Sequence, residues 1–112
     1  MTISTHVLDT SIGRPAARLH VQLVARVESG RWQVIFEGET NGDGRIPALL
    51  PYDRPGGGGE FRLSFDVAPY FARLGVDTFY TTVTVEFVAA EDTHYHVPLL
   101  ISPYGYSTYR GT

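Results

Sequence analysis

Histidine is the residue whose type and spacing could support acid–base chemistry in this 112-residue chain, which contains four of them. His6 precedes a turn-forming Asp-Thr-Ser cluster, and His20 lies on the polar face of an alternating segment. His94 and His96 are two residues apart, so in a strand both side chains point to the same face. Imidazole can take or give a proton near pH 7. The histidines are therefore candidates for general acid–base catalysis.

His96 has neighbours that favour a neutral ring. Pro98 and Leu100 follow it on the same strand face, and an apolar environment lowers the pKa of imidazole. The neutral form is the one that acts as a general base. Two other interpretations stay open: an ordinary hydrogen-bonded strand histidine, and one half of a His94-x-His96 metal-binding pair. Such a pair needs a third ligand, which the sequence does not identify.

Arg45 is the second candidate for chemistry. It follows the turn-forming stretch Asn41-Gly42-Asp43-Gly44 and precedes Ile46-Pro47, a context typical of the first residue of a strand. Its guanidinium could donate to oxygen atoms of a ligand. It could equally pair with Asp43 on the surface, where an ion pair contributes little. The sequence leaves both possibilities open.

Composition excludes several other kinds of chemistry. All nine basic residues are Arg and cysteine is absent, which excludes lysine Schiff bases, disulfides and thiolate metal sites. A net charge of −3 argues against a nucleic-acid surface. No apolar run approaches the ~18 residues of a membrane span, and residues 1–6 lack the pattern of a signal peptide. We therefore expect a cytoplasmic protein that contacts neither nucleic acid nor membrane.

Alternation of apolar and polar residues is the dominant pattern of the elements that must position these side chains. It is clearest in residues 60–67, where Phe61, Leu63 and Phe65 alternate with polar residues, as half-buried antiparallel strands do. Alternation or strand-like composition also occurs in segments 3–8, 17–26, 31–38, 82–88, 93–101 and 104–111. Short turns separate the segments. The pattern predicts one all-β domain over residues 1–112, an antiparallel β-sandwich of seven to eight strands.

Residues 68–75 depart from the alternation and predict one short helix. Pro69 suits the first turn, and Gly75 suits the position just past the end. Phe71 and Leu74 would share one face and pack against the sheet. Residues 55–59 (Pro-Gly-Gly-Gly-Gly) predict a surface loop. The aromatic C-terminal segment is expected to be docked rather than frayed.

Three motifs together resemble the 5-hydroxyisourate hydrolases, the transthyretin-like enzymes of urate breakdown. The first is Ser4-Thr5-His6-Val7-Leu8-Asp9-Thr10, followed by Gly13, Pro15 and Ala16. The second is Thr40-Asn41-x-Asp43-Gly44-Arg45. The third runs His94-Tyr95-His96-Val97-Pro98-Leu99-Leu100, with Ser102-Pro103 and Tyr106-Ser107-Thr108-Tyr109-Arg110-Gly111. They cover essentially the whole chain, in order and at suitable spacing, which makes the resemblance specific.

The resemblance implies a fold, a reaction and a set of site residues. The fold is a transthyretin-like β-sandwich with one short helix. The reaction is hydrolysis of 5-hydroxyisourate to 2-oxo-4-hydroxy-4-carboxy-5-ureidoimidazoline, without metal or cofactor. The catalytic residues are His6, Arg45 and His96, of which His6 and Arg45 also bind substrate. The remaining substrate-binding residues are Ser107, Tyr109, Arg110, Gly111 and Thr112, the last standing where the family has Ser.

The resemblance also implies a homotetramer, a dimer of dimers with active sites at the dimer–dimer interface. Water is activated by one of the two catalytic histidines while Arg45 holds substrate oxygens. Which histidine is the base is left open, as are the roles of His20 and His94. A non-catalytic transthyretin-like carrier of a small ligand is the alternative, although a carrier has no need of the His, Arg, His set. A third possibility, a structural or adhesive sandwich domain, would require a signal peptide or linker.

Overall fold

The computed structural model describes residues 1–50, 58–90 and 93–111, without the side chain of Leu50. Within those ranges the chain forms nine strands and one helix: β1 (Thr2–Asp9), β2 (Arg14–Pro15), β3 (His20–Arg26), β4 (Trp32–Glu39), β5 (Arg45–Leu50), β6 (Gly59–Asp66), α1 (Val67–Arg73), β7 (Thr82–Ala89), β8 (His94–Ser102) and β9 (Gly105–Thr108). The predicted β-sandwich with one short helix is confirmed. It differs from the prediction in two details: the described residues form nine strands rather than seven to eight, and β1 and β8 pair in parallel rather than antiparallel. Residues 55–57 of the predicted surface loop lie outside the described residues.

The strands form two sheets. One has the order β4-β3-β6-β7 and is antiparallel throughout. In the other, β8 pairs with one edge of β1, while β5 and β2 pair with the opposite edge, and β9 lies outside β8. β1 and β8 run parallel in an unbroken register from Thr2–His94 to Asp9–Ile101. This second sheet carries His6, His94, His96 and Arg45, whereas His20 begins β3 of the first sheet.

The hydrophobic core lies between the two sheets. Most of its largest members come from inward positions of the alternating strands, including Phe61, Leu63 and Phe65 of β6 and Leu99 of β8, all fully buried. Burying one such side chain stabilises the fold by about 1.5–3 kcal/mol. The core therefore fixes which residues of β1 and β8 point outward.

The helix α1 packs differently from the prediction at one position. Val67, Tyr70 and Phe71 are buried, but Leu74 is 51% exposed, so its predicted packing against the sheet was wrong. The helix ends at Arg73, and Gly75 turns the chain away with a φ of +73°. Leu74 therefore lies beyond the last helical turn. No helix in the described part of the chain is long and apolar enough to cross a bilayer.

Candidate active site

The pairing of β1 with β8 and β5 places the catalytic candidates on one face. His6 is directly opposite Arg45 on β5, and Ser4 is directly opposite His96 on β8. Directly opposed residues of neighbouring strands share a face, and residues two apart along a strand do so as well. His6, Arg45 and His96 therefore lie together on the outer face of the sheet, away from the core.

A tight turn delivers Arg45 to that face. The side-chain oxygen of Asn41 accepts hydrogen bonds from the backbone N–H of Asp43 at 2.9 Å and of Arg45 at 3.0 Å. Gly44 has a φ of +73° and its carbonyl accepts the N–H of Val7 at 2.7 Å. A Cβ on Gly44 would lie 2.4 Å from the carbonyl oxygen of Val7. The turn thus requires glycine, and it fixes Arg45 as the exposed first residue of β5.

Two hydroxyl groups and two imidazoles form a continuous chain beside Arg45. Ser4 Oγ lies 2.8 Å from His96 Nδ1 and 2.9 Å from His94 Nε2. Thr2 Oγ1 lies 2.5 Å from His94 Nδ1. Because Nδ1 of His96 is hydrogen-bonded to Ser4, Nε2 is the ring nitrogen available for proton transfer. The ring is fixed in orientation, as a catalytic base requires.

The surroundings of His96 lower its pKa below the ordinary value of 6.5. Burial of the half-exposed ring is the largest cause, followed by the positive charge of Arg45 and then by His6 and His94. Burial and a nearby cation both disfavour imidazolium. The direction agrees with the one expected from the apolar neighbours of His96 on β8, and it leaves the ring neutral and able to accept a proton near pH 7.

Arg45, His94 and His96, but not His6, line an open depression of about 330 Å³ on the outer face. The lining residues are Ser4, Thr5, Arg45, Pro47, His94 and His96. An exposed guanidinium and a neutral imidazole at one concave surface can hold an oxygen-rich ligand next to a water-activating base. The arrangement suits hydrolysis of a small polar molecule.

The C-terminal segment approaches His96 from the other side. Ser107 of β9 is directly opposite Leu100 of β8, so it shares the outer face with His96. The N–H of Gly111 donates to the His96 carbonyl at 2.8 Å, and a Cβ at Gly111 would lie 2.8 Å from the His96 ring. Glycine thus allows the chain end to pass against the imidazole.

The other predicted C-terminal residues occupy different positions. Tyr109 and Arg110 line a second cavity, of about 260 Å³, which His96 also borders. The guanidinium of Arg110 lies over the ring of the buried Tyr95, 4.9 Å from its centroid. Arg110 is therefore directed toward the core side of β8, whereas Arg45 lies on the outer face. Thr112 is outside the described residues.

Ser4 is the site residue that sequence reasoning missed. It appeared only as one letter of the N-terminal motif, although its spacing of two from His6 already placed both side chains on one face. His20 stands apart on the other sheet, where Nδ1 lies 2.8 Å from Asp66 and Nε2 lies 3.4 Å from Glu37. Among residues 1–50, 58–90 and 93–111, no three His, Asp or Glu side chains are grouped as metal ligands.

Fold and site together define a class of protein. Two packed sheets, one short helix between β6 and β7, and an outward-facing histidine–arginine site describe a transthyretin-like β-sandwich. The chain belongs to the HIUase/Transthyretin family, whose sequence profile matches residues 3–111.

Similar proteins include 5-hydroxyisourate hydrolases and a transthyretin solved in complex with thyroxine. The 5-hydroxyisourate hydrolase of Salmonella dublin is 42% identical over 111 residues, which cover 98% of this chain and 80% of the relative. The structure of Klebsiella pneumoniae 5-hydroxyisourate hydrolase matches with a TM-score of 0.87 and 37% identity, over 99% of this chain and 98% of the other. Sea bream transthyretin in complex with thyroxine matches with a TM-score of 0.89 and 27% identity, over 98% and 94% of the two chains.

Proposed function

We propose that this chain hydrolyses 5-hydroxyisourate to 2-oxo-4-hydroxy-4-carboxy-5-ureidoimidazoline, a step of urate degradation. The names of the relatives in Salmonella dublin and Klebsiella pneumoniae support this substrate. The observation that carries the proposal is the presence of His6, Arg45 and His96 on one outer sheet face, beside a depression suited to a small polar ligand.

In the proposed mechanism, His96 is the general base. Its lowered pKa keeps the ring neutral, and Ser4 at Nδ1 turns Nε2 toward water. Removal of a proton from water by Nε2 allows the oxygen to attack the substrate carbonyl, and the resulting oxyanion must be stabilised. Cleavage of the acyl–nitrogen bond then opens the six-membered ring, with a proton delivered to the leaving nitrogen.

Arg45 and His6 hold the substrate in this scheme. A planar, permanently charged guanidinium donates to two oxygens at once and stabilises negative charge as it develops. His6, directly opposite Arg45, orients the water or a substrate oxygen. We propose that Ser107 completes the binding surface on this face, with the chain end at Gly111 and Thr112, and that Tyr109 and Arg110 contribute from the second cavity, which His96 also borders.

The reaction is proposed to need no metal. Both ring nitrogens of His94 lie within hydrogen-bonding distance of hydroxyl groups, those of Thr2 and Ser4, which favours a hydrogen-bonded role for His94 over a His94-x-His96 chelate. Activity should therefore survive treatment with a chelator. Loss of activity that zinc restores would contradict this.

We further propose that the molecule is a homotetramer, a dimer of dimers with active sites at the dimer–dimer interface. Within the described residues, β9 pairs only with β8 and β7 only with β6, and edge strands of this kind can pair with another copy. Exposed aromatic residues accompany these strands, among them Phe79, Tyr104 and Tyr106. The single domain over residues 1–112 and the cytoplasmic location stay predictions.

A small-ligand carrier is the second candidate function. Sea bream transthyretin, solved with thyroxine, has nearly the same fold. Its 27% identity is lower than the 42% of the Salmonella dublin hydrolase. A carrier also gains nothing from a neutral imidazole held beside an arginine, so the hydrolase is favoured.

The decisive experiment is ultraviolet monitoring of freshly generated 5-hydroxyisourate. The substrate decays unaided, so the rate in excess of the protein-free reaction is the quantity of interest. We expect this excess to rise in proportion to protein concentration and to disappear in His96→Ala. Decay at the protein-free rate, with a dissociable ligand bound instead, would favour the carrier.

A further inference from the structure

Thr2, His94, Ser4 and His96 form a chain of four hydrogen-bonding groups that can carry its protons in two head-to-tail orders when both rings are neutral. In the first, His96 Nδ1–H donates to Ser4, Ser4 O–H donates to His94 Nε2, and His94 Nδ1–H donates to Thr2. His96 Nε2 then carries a lone pair. In the second order every donor becomes an acceptor, and His96 Nε2 carries the proton.

The two histidines differ in how well they tolerate positive charge. The ring of His96 is half-buried, and Arg45, His6 and His94 all oppose its protonation; Arg110 also borders the cavity on its other side. His94, at the far end of the hydrogen-bonded chain, is exposed to solvent. Water stabilises an imidazolium there much better than the partly desolvated position of His96 does.

We propose that Ser4 and His94 are positioning residues that relay a proton away from His96 when it acts as the base, and return it when the leaving nitrogen needs one. This rests on the proposed function, in which His96 activates water. Neither residue touches the substrate in this scheme. Their effect is to let His96 work at Nε2 without holding the positive charge itself.

The proton transfers balance. A water proton moves to His96 Nε2, the His96 Nδ1 proton moves to Ser4 Oγ, and the Ser4 hydroxyl proton moves to His94 Nε2, which makes His94 the cation. The hydroxide formed bonds to the acyl carbon. When the acyl–nitrogen bond breaks, His96 Nε2–H gives its proton to the nitrogen, and the relay runs in reverse. The product carries the oxygen and both hydrogens of the water, and the enzyme ends as it began.

Two substitutions test the relay. Ser4→Ala removes the bridging hydroxyl, and His94→Gln keeps a hydrogen-bonding group that cannot become a cation. We expect both to lower kcat by about tenfold, a part of what general acid–base catalysis supplies, with KM nearly unchanged. Ser4→Thr, which keeps the hydroxyl, should recover most of the loss. His20→Gln, the same change at a histidine on the other sheet, is the control and should behave as the wild type.

A spectroscopic measurement separates the relay from a structural role. Nitrogen-15 NMR of the histidine rings should show His96 protonated at Nδ1 in the wild type near neutral pH, and a shift toward the other tautomer in Ser4→Ala. The solvent isotope effect, measured across mixtures of light and heavy water, should indicate several protons in flight in the wild type and one in His94→Gln.

The outcomes distinguish the two proposals. A wild-type protein that does not accelerate 5-hydroxyisourate decay would overturn the proposed function. An active wild type, with kcat, pH profile and His96 ring signals unchanged by Ser4→Ala, would overturn the relay alone. If Ser4→Ala failed to fold, His94→Gln would decide, because His94 is exposed; wild-type kcat and isotope effect in that variant would contradict the relay.

Discussion

At the scale of single residues, the site depends on a neutral imidazole held next to a permanent cation. The Arg45 guanidinium and partial burial both act on His96 in the same direction, against protonation. An acid–base group of this kind stays ready to accept a proton at neutral pH. In the proposed mechanism, the charge that holds substrate oxygens therefore also helps to keep the base deprotonated.

Removing either partner should be costly for activity. His96→Ala eliminates the base and should reduce kcat by about 10²- to 10⁴-fold, and Arg45→Ala and His6→Ala should each reduce kcat/KM substantially. The measurement is excess decay of 5-hydroxyisourate at saturating and limiting substrate. Arg26→Ala, at an exposed arginine paired with Glu60 on the other sheet, is the matched control. Near-normal rates in His96→Ala would contradict the assignment.

The pH dependence of activity follows from the direction of the His96 shift. The base works unprotonated, so kcat/KM should fall as the pH drops through the pKa of His96. Because that pKa lies below 6.5, the acid limb should lie below pH 6.5. Arg45→Met removes a cation that lowers the pKa, so the limb should move to higher pH in the residual activity. An acid limb that stays in place in this variant would show that the limb belongs to another group.

The close approach of Gly111 to His96 leads to a prediction that depends only on steric fit. A methyl group there would meet the His96 ring at 2.8 Å, closer than real Cβ contacts, and the His96 carbonyl at a tight 3.2 Å. Gly111→Ala should therefore shift the imidazole or the chain end and lower kcat by about tenfold to 100-fold. Gly105→Ala, whose Cβ would meet only Ser102 Oγ at 3.5 Å, is the control. Equal kcat in the two variants would contradict close packing against His96.

The sequence predicts individual site residues, but it does not predict which side chains of neighbouring strands contact each other. Residue type and spacing made Arg45 and the histidines candidates, and the family resemblance implied the set His6, Arg45 and His96. The bridging role of Ser4 depends on the parallel alignment that sets Ser4 directly opposite His96, and no local pattern encodes a contact between residues 92 apart. Hydrogen-bond partners across strands are therefore what the structure adds.

At the scale of elements, alternation predicted where strands occur better than it predicted which side chains point to the core. In β4 the alternation breaks at Ile35, because Leu23 is paired with Phe36 and Val24 with Val34, which makes Ile35 the extra residue of a β-bulge. Val34 consequently lies 54% exposed. The prediction that Leu74 packs against the sheet was wrong because the helix ends at Arg73. Leu74 therefore does not continue the buried face of the helix.

One side-chain contact ties α1 to the end of β1. The hydroxyl of Tyr70 donates to the fully buried carboxylate of Asp9 at 2.8 Å. Burial and this hydrogen bond raise the pKa of Tyr70. Asp9 also accepts from the N–H and hydroxyl of Ser11. The helix therefore braces the strand that carries Ser4 and His6.

Loss of that contact should reduce stability rather than chemistry. Tyr70→Phe leaves one oxygen of a buried carboxylate without its donor, which should lower the free energy of unfolding by about 1–3 kcal/mol, measured by urea denaturation. Tyr104→Phe, at a tyrosine that is 71% exposed, should change it by less than about 0.5 kcal/mol. Equal midpoints for the two variants would show that the Asp9 contact contributes nothing.

At the scale of the whole molecule, the outward position of the site makes assembly part of the proposed function. Light scattering should give a mass about four times the 12.4 kDa of one chain. Because the depression is open on one chain, activity per chain should fall when dilution dissociates the tetramer. A monomer with full activity would contradict active sites at the dimer–dimer interface.

The parallel pairing of β1 and β8 also has a consequence for how the molecule is made. The groups that must meet, Ser4 and His96, are separated by 92 positions, and closing so long a loop is entropically slow compared with forming local hairpins. The sheet β4-β3-β6-β7 can form earlier, since its strands are neighbours along the chain or nearly so. During synthesis, His6 and the Arg45 of its neighbouring strand β5 precede His96, which follows only with β8. The proposed catalytic residues thus come together only once β8 has paired with β1.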